Sequence, residues 1–146
     1  MEVGFKQVHQ QLLQDVEQQI QSRSVRAANV LKKYSNKVLS NAAGRSGKVY
    51  RKPGTMSKKG NRYTASAPGE PPALRTGELR KSWRPLPTTE MVAGEKQYHP
   101  GIHTDVKYAP MLENGTSRIA PRPFQDEIKQ QAWPEVKQIF GQPYLK

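Results

Sequence analysis

The sequence predicts an α+β protein, because two amphipathic helices enclose a central region of short apolar runs and turns. Apolar residues recur every three or four positions in a long N-terminal segment and again in a C-terminal segment. Between them, prolines and glycines divide the chain into pieces that suit strands, turns and very short helices. The 146 residues are few enough to form a single domain, 1–146.

The N-terminal segment, residues 1–43, is expected to be one long helix that runs from Phe5 to about position 42. No proline or glycine interrupts it before Gly44. Its length would be roughly 55 Å, more than a small domain spans, so part should project or the helix should break near 22–24. Two interpretations stay open: the apolar stripe belongs to the core, or its N-terminal half packs on another subunit. The stripe begins with Phe5, Val8, Leu12, Val16 and Ile20.

Residues 44–64 form a basic segment that is predicted to be a loop or a hairpin, with Val49 and Tyr50 pairing back on 62–64. It contains seven cations and no carboxylate, so it carries +7 of the net charge of +12. Three interpretations stay open: a solvated loop, contact with an acidic protein surface, or sequence-independent contact with passing DNA phosphates. The cations are Arg45, Lys48, Arg51, Lys52, Lys58, Lys59 and Arg62.

A proline arm, residues 65–75, follows the basic segment. Pro68, Pro71 and Pro72 lack backbone donors, and each pushes the residue before it towards an extended conformation. The arm is therefore expected to be stiff and extended, with a turn around Gly69.

The region 76–122 is expected to hold a short helix and the sheet. Thr76 is predicted to cap the helix, and Pro85 is predicted to stop it near Trp83. Leu79 and Trp83 would share one face of this helix. The strand candidates are 88–93 and 102–106, separated by 94–101.

Two further helices are predicted towards the C-terminus. Residues 108–113 suit one or two helical turns that end at Asn114 and Gly115. A C-terminal helix is expected over 123–141, with Pro123 as its first residue. Pro134 should kink or split this helix, because it cannot donate to the carbonyl four residues earlier. The apolar stripe of the helix is Phe124, Ile128, Ala132, Val136 and either Ile139 or Phe140.

No catalytic, cofactor or metal site is predicted, so we expect a protein that is not an enzyme. His99 and His103 lie near Asp105, but an extended chain places the two imidazoles about 13 Å apart, too far for one metal ion. Gly44, Gly47 and the lysine that follows lack the spacing of a phosphate-binding loop. The chain has no cysteine and no apparent nucleophile–base pair.

Composition indicates a protein that works with partners. The calculated pI near 10.1 favours a polyanion or an acidic protein surface. Hydrophobic residues make up only 34% of the chain, so the core should be small and other copies should cover part of the surface. No apolar run approaches the roughly 20 residues that span a bilayer, and no secretory signal is evident, so no membrane partner is expected.

Four segments, taken in order, resemble a known family. They are Ser-Ala-Pro-Gly-Glu-Pro-Pro (66–72), Thr-Gly-Glu-Leu-Arg-Lys-Ser (76–82), Tyr-Ala-Pro-Met-Leu-Glu-Asn-Gly-Thr (108–116) and Pro-Arg-Pro-Phe (121–124). Their order and spacing resemble the small head–tail joining or tail-component proteins of long-tailed bacteriophages. The resemblance covers roughly 45–130 and leaves out the long N-terminal helix and the stretch 85–101.

The resemblance implies long N-terminal and C-terminal helices packed on a small, mostly antiparallel sheet. It implies a structural virion protein of the neck, assembled in the host bacterial cytoplasm as a ring, with six-fold symmetry favoured. The partners implied are head connector or portal-side proteins and tail terminator or tail-tube proteins. The alternatives are a tail terminator, a head-closure protein or a sequence-independent DNA-binding module.

The arm and the two C-terminal segments are the expected docking region. Subunit docking is expected from Pro68, Glu70, Pro71 and Arg75. Tyr108, Leu112 and Glu113 are expected to form the turn packed under the arm, with Arg122 bonding nearby.

Overall fold

The computed structural model describes residues 5–40, 44–52, 54 and 61–144. Its elements are α1 (Phe5–Val38), β1 (Val49–Arg51), β2 (Arg62–Thr64), α2 (Glu78–Ser82), β3 (Arg84–Val92), β4 (Glu95–His103), α3 (Ala109–Asn114) and α4 (Gln125–Phe140). The α+β class is confirmed. The strands form two separate antiparallel pairs, β1–β2 and β3–β4, where one small sheet was expected.

Helix α1 is continuous, so the break considered near 22–24 does not occur. Its 34 residues correspond to about 50 Å. Residues 5–14 are exposed, whereas the C-terminal half buries small side chains such as Ala27 and Ala28. Projection of residues 5–14 therefore accounts for the mismatch between helix length and domain size. The helix ends at Val38, a few residues before the predicted position, and 41–43 lie outside the described residues.

The hairpin β3–β4 corrects the prediction that 94–101 separates two strands. The strands pair from Arg84 opposite His103 to Val92 opposite Glu95, and most of 94–101 belongs to β4. Pro87 lies directly opposite Pro100. Because proline has no N–H, this pair must be one whose backbone donors point away from the partner strand, so no ladder bond is lost. The prolines in both strands are the reason why the sequence did not predict this hairpin.

The start of the C-terminal helix also differs from the prediction. Helix α4 begins at Gln125, not at Pro123. Glu113 Oε2 accepts the backbone N–H of Phe124 at 2.9 Å and that of Gln125 at 3.3 Å, so α3 supplies the cap from outside the helix. Pro134 lies within α4 without splitting it, and Gly141 ends the helix as predicted.

Helix α2 begins at Glu78, after Gly77 with a φ of 82°. The prediction that Thr76 caps the helix is wrong: Gly77 occupies the N-cap position, and Thr76 Oγ1 only accepts the N–H of Glu78 at 3.4 Å. Leu79 and Trp83 are both buried, as the sequence predicted. The short helix thus serves to insert two apolar side chains into the core.

The core lies where α1, α2 and α4 meet. The rings of Trp83 and Phe124 pack edge to face, with centroids 5.9 Å apart. The buried members of the cluster are Val38, Leu39, Leu79, Trp83, Ala109, Phe124 and Ile128. No helix in the described ranges is both long and apolar enough to cross a membrane.

Arg23 joins the middle of α1 to the end of α4. Its side chain is only 4% exposed, and it donates to the carbonyls of Phe140, Gln142 and Pro143. The guanidinium also lies 3.8 Å from the ring centroid of Tyr144. One buried cation therefore donates to the last carbonyl of α4, which lacks an intrahelical donor, and to two carbonyls just beyond the helix.

Candidate functional site

Three of the four segments on which the resemblance rests, 66–72, 108–116 and 121–124, lie in contact with one another. Gly69 in the arm donates its N–H to the carbonyl of Pro121 at 3.0 Å. Arg122 donates its backbone N–H to Leu112 at 2.7 Å, and its guanidinium reaches the carbonyl of Ser66. Arg122 thus lies between the arm and α3 and bonds to both. We call residues 66–72, 108–116 and 121–124 together the elbow cluster.

Glu70 bonds the arm to the start of the basic segment. Its carboxylate accepts the hydroxyl of Ser46, the N–H of Ser46 at 3.1 Å and the N–H of Ala67 at 2.8 Å. The Ser46 hydroxyl, followed by the backbone N–H groups of Ala67 and Ser46, lowers the pKa of Glu70 to about 2. The charge of Glu70 is therefore held by this chain's own donors.

Tyr108, Leu112 and Glu113 bond or pack within the chain. The Tyr108 hydroxyl donates to Glu78 Oε2 at 3.2 Å, and burial, with the Glu78 charge, raises the pKa of Tyr108. Leu112 packs against the core, and Glu113 caps α4 from α3. These three side chains connect α3 to α2, to the core and to α4 respectively.

The outward side of the elbow cluster offers fewer side chains than expected. Pro68 and Arg75 are exposed, and Pro71 is half-buried. A cleft of about 450 Å³ runs between the arm, α2 and α3, with Pro72 and Tyr108 among its lining residues. Of the expected docking residues, Pro68, Pro71 and Arg75 are therefore the ones that a neighbouring molecule could reach without displacing internal hydrogen bonds.

The basic segment forms the predicted hairpin, which we call the basic ribbon (β1, β2 and the residues that extend their pairing, 47–52 and 61–65). Lys48, Arg51, Lys52 and Arg62 are exposed on it. Arg45 is used differently, because its guanidinium donates to the carbonyls of Gly44, Val38 and Pro72. Lys58 and Lys59 lie outside the described residues.

The N-terminal half of α1 carries an exposed apolar stripe. Phe5 is 81% exposed, Val8 58% and Leu12 43%. Their spacing places them on one face of the helix. We call these three residues the exposed stripe. Further along the helix, Glu17 pairs with Lys96 of β4.

Sequence reasoning missed two residues at these surfaces. Trp133 is 62% exposed and lies beside an apolar cleft of about 550 Å³. Trp133 directly follows Ala132, a member of the apolar stripe of α4, so its position in the sequence already indicated a side chain that faces away from the core. Ser46, the main donor to Glu70, carried no sequence signal, because its role depends on a contact 24 residues away.

Titratable groups near the end of β4 form a surface ion-pair network: His103 ends β4, Arg84 begins β3 and Asp105 follows β4. His103 Nε2 lies 2.9 Å from Asp105 Oδ1, and Arg84 pairs with the same carboxylate. The His103 hydrogen bond, with the Arg84 charge, lowers the pKa of Asp105. All three side chains are more than half exposed. Within the described residues, no hydroxyl hydrogen-bonds to His103 and no group of three potential metal ligands occurs.

Comparisons with family models, curated proteins and solved structures found no match to the chain. The elbow cluster, the basic ribbon and the exposed stripe are therefore the features from which its function is inferred, together with the resemblance of the four segments.

Proposed function

We propose that the chain is a structural virion protein of the phage neck, which forms a ring and joins the head connector to the tail. The proposal combines the resemblance of the four segments with the surfaces described above. It assigns the protein no reaction and no cofactor. Tail-tube or tail-terminator proteins on one side and portal-side proteins on the other would be its partners.

The observation that carries the proposal is the exposed stripe on the projecting first turns of α1, residues 5–14. Apolar residues that line one face of a helix and meet solvent in the monomer are typical of an assembly interface. The surrounding polar side chains are mainly glutamines, which are neutral and therefore cost less to desolvate than charged groups. In a ring, this stripe would meet a different patch on the next copy, as heterologous contacts require.

The elbow cluster supplies the rigid end of the same subunit. Glu70, Glu113 and Arg122 hold the arm, α3 and α4 together through internal hydrogen bonds. We assign subunit docking to Pro68, Pro71 and Arg75, which remain accessible on the outside. A braced arm loses little conformational entropy when a neighbour binds, and this favours assembly.

The oligomeric state of the purified chain tests the ring. Light scattering after gel filtration and native mass spectrometry should give one discrete oligomer for the wild type. Val8→Glu/Leu12→Glu should yield monomers, because it places two charges in the exposed stripe. Gln10→Glu/Gln14→Glu adds the same charge on the opposite side of α1 and should leave the oligomer intact. A wild type that stays monomeric at every concentration would contradict the ring.

The role in the neck is tested in the virus that carries the gene. Deletion of the gene should give filled heads and complete tails that remain separate. The wild-type gene supplied in trans should restore the joining of heads to tails. Electron microscopy of intact particles would then locate the ring. Density at the end of the tail would favour the tail-terminator alternative. Density directly on the portal would favour the head-closure alternative. Absence of the chain from purified particles would refute a virion role.

A further inference from the structure

Two arginines face each other across the basic ribbon. Arg51 in β1 is the direct cross-strand partner of Arg62 in β2, and both side chains are exposed. Neither guanidinium bonds to another of the residues that the structure describes, and no Asp or Glu occurs anywhere between 44 and 64. Like charges directly opposite each other destabilise a strand pair. The free protein thus retains a local repulsion that an anionic ligand would relieve.

The opposite face of the basic ribbon carries aromatic rings beside further cations. Tyr50 and Tyr63 are cross-strand partners, with ring centroids 6.0 Å apart and planes at 31°. Because side chains alternate along a strand, Lys48 and Lys52 lie on the same face as Tyr50. Both faces of the ribbon therefore combine positive charge with accessible surface.

The base of the basic ribbon is held firmly. Gly47 donates its N–H to the carbonyl of Ala65 at 2.9 Å, and Ala65 donates to Lys48 at 2.8 Å. A Cβ atom at Gly47 would lie 2.5 Å from the Ala65 carbonyl oxygen, so only glycine allows this close approach. Arg45 and Glu70 fix the preceding turn through internal bonds. The exposed cations are thus presented on a preorganised support.

We propose that the basic ribbon binds the phosphate backbone of duplex DNA independently of base sequence. The planar guanidinium groups of Arg51 and Arg62 match the paired oxygens of phosphates, and a two-stranded ribbon is narrow enough to approach a DNA groove. A phosphate backbone supplies closely spaced negative charge to two adjacent cations, which a single surface carboxylate cannot do. The proposal concerns the isolated chain and does not depend on the neck assignment.

Fluorescence anisotropy with a labelled duplex of mixed sequence, roughly 20 base pairs long, tests the proposal over 50 to 200 mM salt. Arg51→Gln/Arg62→Gln should weaken binding at least tenfold at the lower salt concentration. The slope of log affinity against log salt should fall by about 1.8, since each phosphate contact contributes about 0.9. Between 50 and 200 mM salt, the factor by which the double variant loses affinity would then be roughly 12-fold smaller than the factor for the wild type.

Two further variants separate a local site from total charge. Arg26→Gln/Arg118→Gln removes two exposed cations elsewhere and should retain the wild-type slope. Arg51→Lys/Arg62→Lys keeps the charge on the ribbon and should retain most of the salt dependence. Circular dichroism would establish that all three variants are folded. The proposal would be overturned if Arg26→Gln/Arg118→Gln weakened DNA binding as much as Arg51→Gln/Arg62→Gln. Tighter binding of the wild type to a polyglutamate peptide than to the duplex would also overturn it.

Discussion

Glu113 caps the helix that begins with Phe124 in its N-cap position, although the two residues belong to different elements. Its Oε2 atom accepts two successive backbone N–H groups, those of Phe124 and Gln125. Phe124 is 1% exposed and packs on Trp83, so the cap also fixes the central ring of the core. The last turn of α3 therefore contributes to fixing where α4 starts.

Replacing Glu113 by Ala should lower the free energy of unfolding by about 1–2 kcal/mol. The reason is that two N–H groups at the start of α4 would lose their acceptor while Phe124 stays buried. Urea denaturation at neutral pH measures the change. Glu95→Ala, at an exposed position beside the β3–β4 turn, is the matched control and should change the free energy by less than about 0.5 kcal/mol. Equal effects of the two substitutions would contradict the capping role.

The contribution of Glu70 to stability should depend on pH. Its pKa is about 2 in the folded chain against an ordinary 4.5, so the folded state favours the ionised form. The stabilisation is therefore fully present above pH 4.5 and disappears as the pH falls towards 2. Urea denaturation of the wild type and Glu70→Gln in a pH series should give a difference that is constant above this window and shrinks within it.

Ser46→Ala provides the control for this pH dependence. It removes the hydroxyl that contributes most to the low pKa of Glu70 while leaving the carboxylate in place. Part of the pH dependence should vanish in this variant. A difference between wild type and Glu70→Gln that stays the same from neutral to acidic pH would show that the ionised carboxylate is not what stabilises the arm.

Replacing Arg23 by Lys should destabilise the chain by about 2 kcal/mol, although the charge is conserved. A single ammonium group cannot reproduce the fork that reaches the carbonyls of Phe140, Gln142 and Pro143. Urea denaturation should detect the loss, and hydrogen exchange should accelerate near the end of α4. Arg26→Lys, at an exposed position of the same helix, should leave both measurements unchanged. A harmless Arg23→Lys would contradict the proposed geometry.

The sequence predicted the elements that short-range patterns specify. Helix α1 follows from its apolar period, and the end of α3 follows from Gly115, whose φ is 76°. Hairpin β3–β4 was not predicted because Pro100 fits a strand only in a register that requires no ladder bond from it, as is the case opposite Pro87. That register depends on the partner strand, and a single strand's sequence does not contain it.

The candidate site was predictable only in part, for a related reason. The order of the four segments indicated that they act together. The structure joins three of them by hydrogen bonds, and the Tyr108 hydroxyl links this group to Glu78 in the fourth. Whether a carboxylate such as Glu70 faces a neighbour or its own chain depends on Ser46, 24 residues away. The cross-strand pair of Arg51 and Arg62 likewise follows from the register of the hairpin and not from the local sequence.

Two glycines with positive φ should respond differently to substitution by alanine. Gly115 has φ 76° and ψ 177°, and a Cβ there would lie 2.8 Å from the Ile119 carbonyl oxygen. Gly94 has φ 85° in the β3–β4 turn, with open space around the Cβ position. Gly94→Ala should cost about 1 kcal/mol of conformational strain, and Gly115→Ala about 3 kcal/mol or more. Thermal or urea unfolding measures both, and equal costs would refute the steric argument.

Substituting one arginine of the cross-strand pair should make the basic ribbon more stable. Arg51→Thr removes the repulsion with Arg62, so the amide hydrogens of Gly47 and Ala65, which bond across the ribbon, should exchange roughly twofold more slowly. Arg62→Thr should have the same effect, and the double substitution should add little, because the repulsion is removed only once. Faster exchange in either variant would show that these side chains support the ribbon. If the single substitutions stabilise the ribbon and also weaken DNA binding, the strained pair serves binding at a cost in stability.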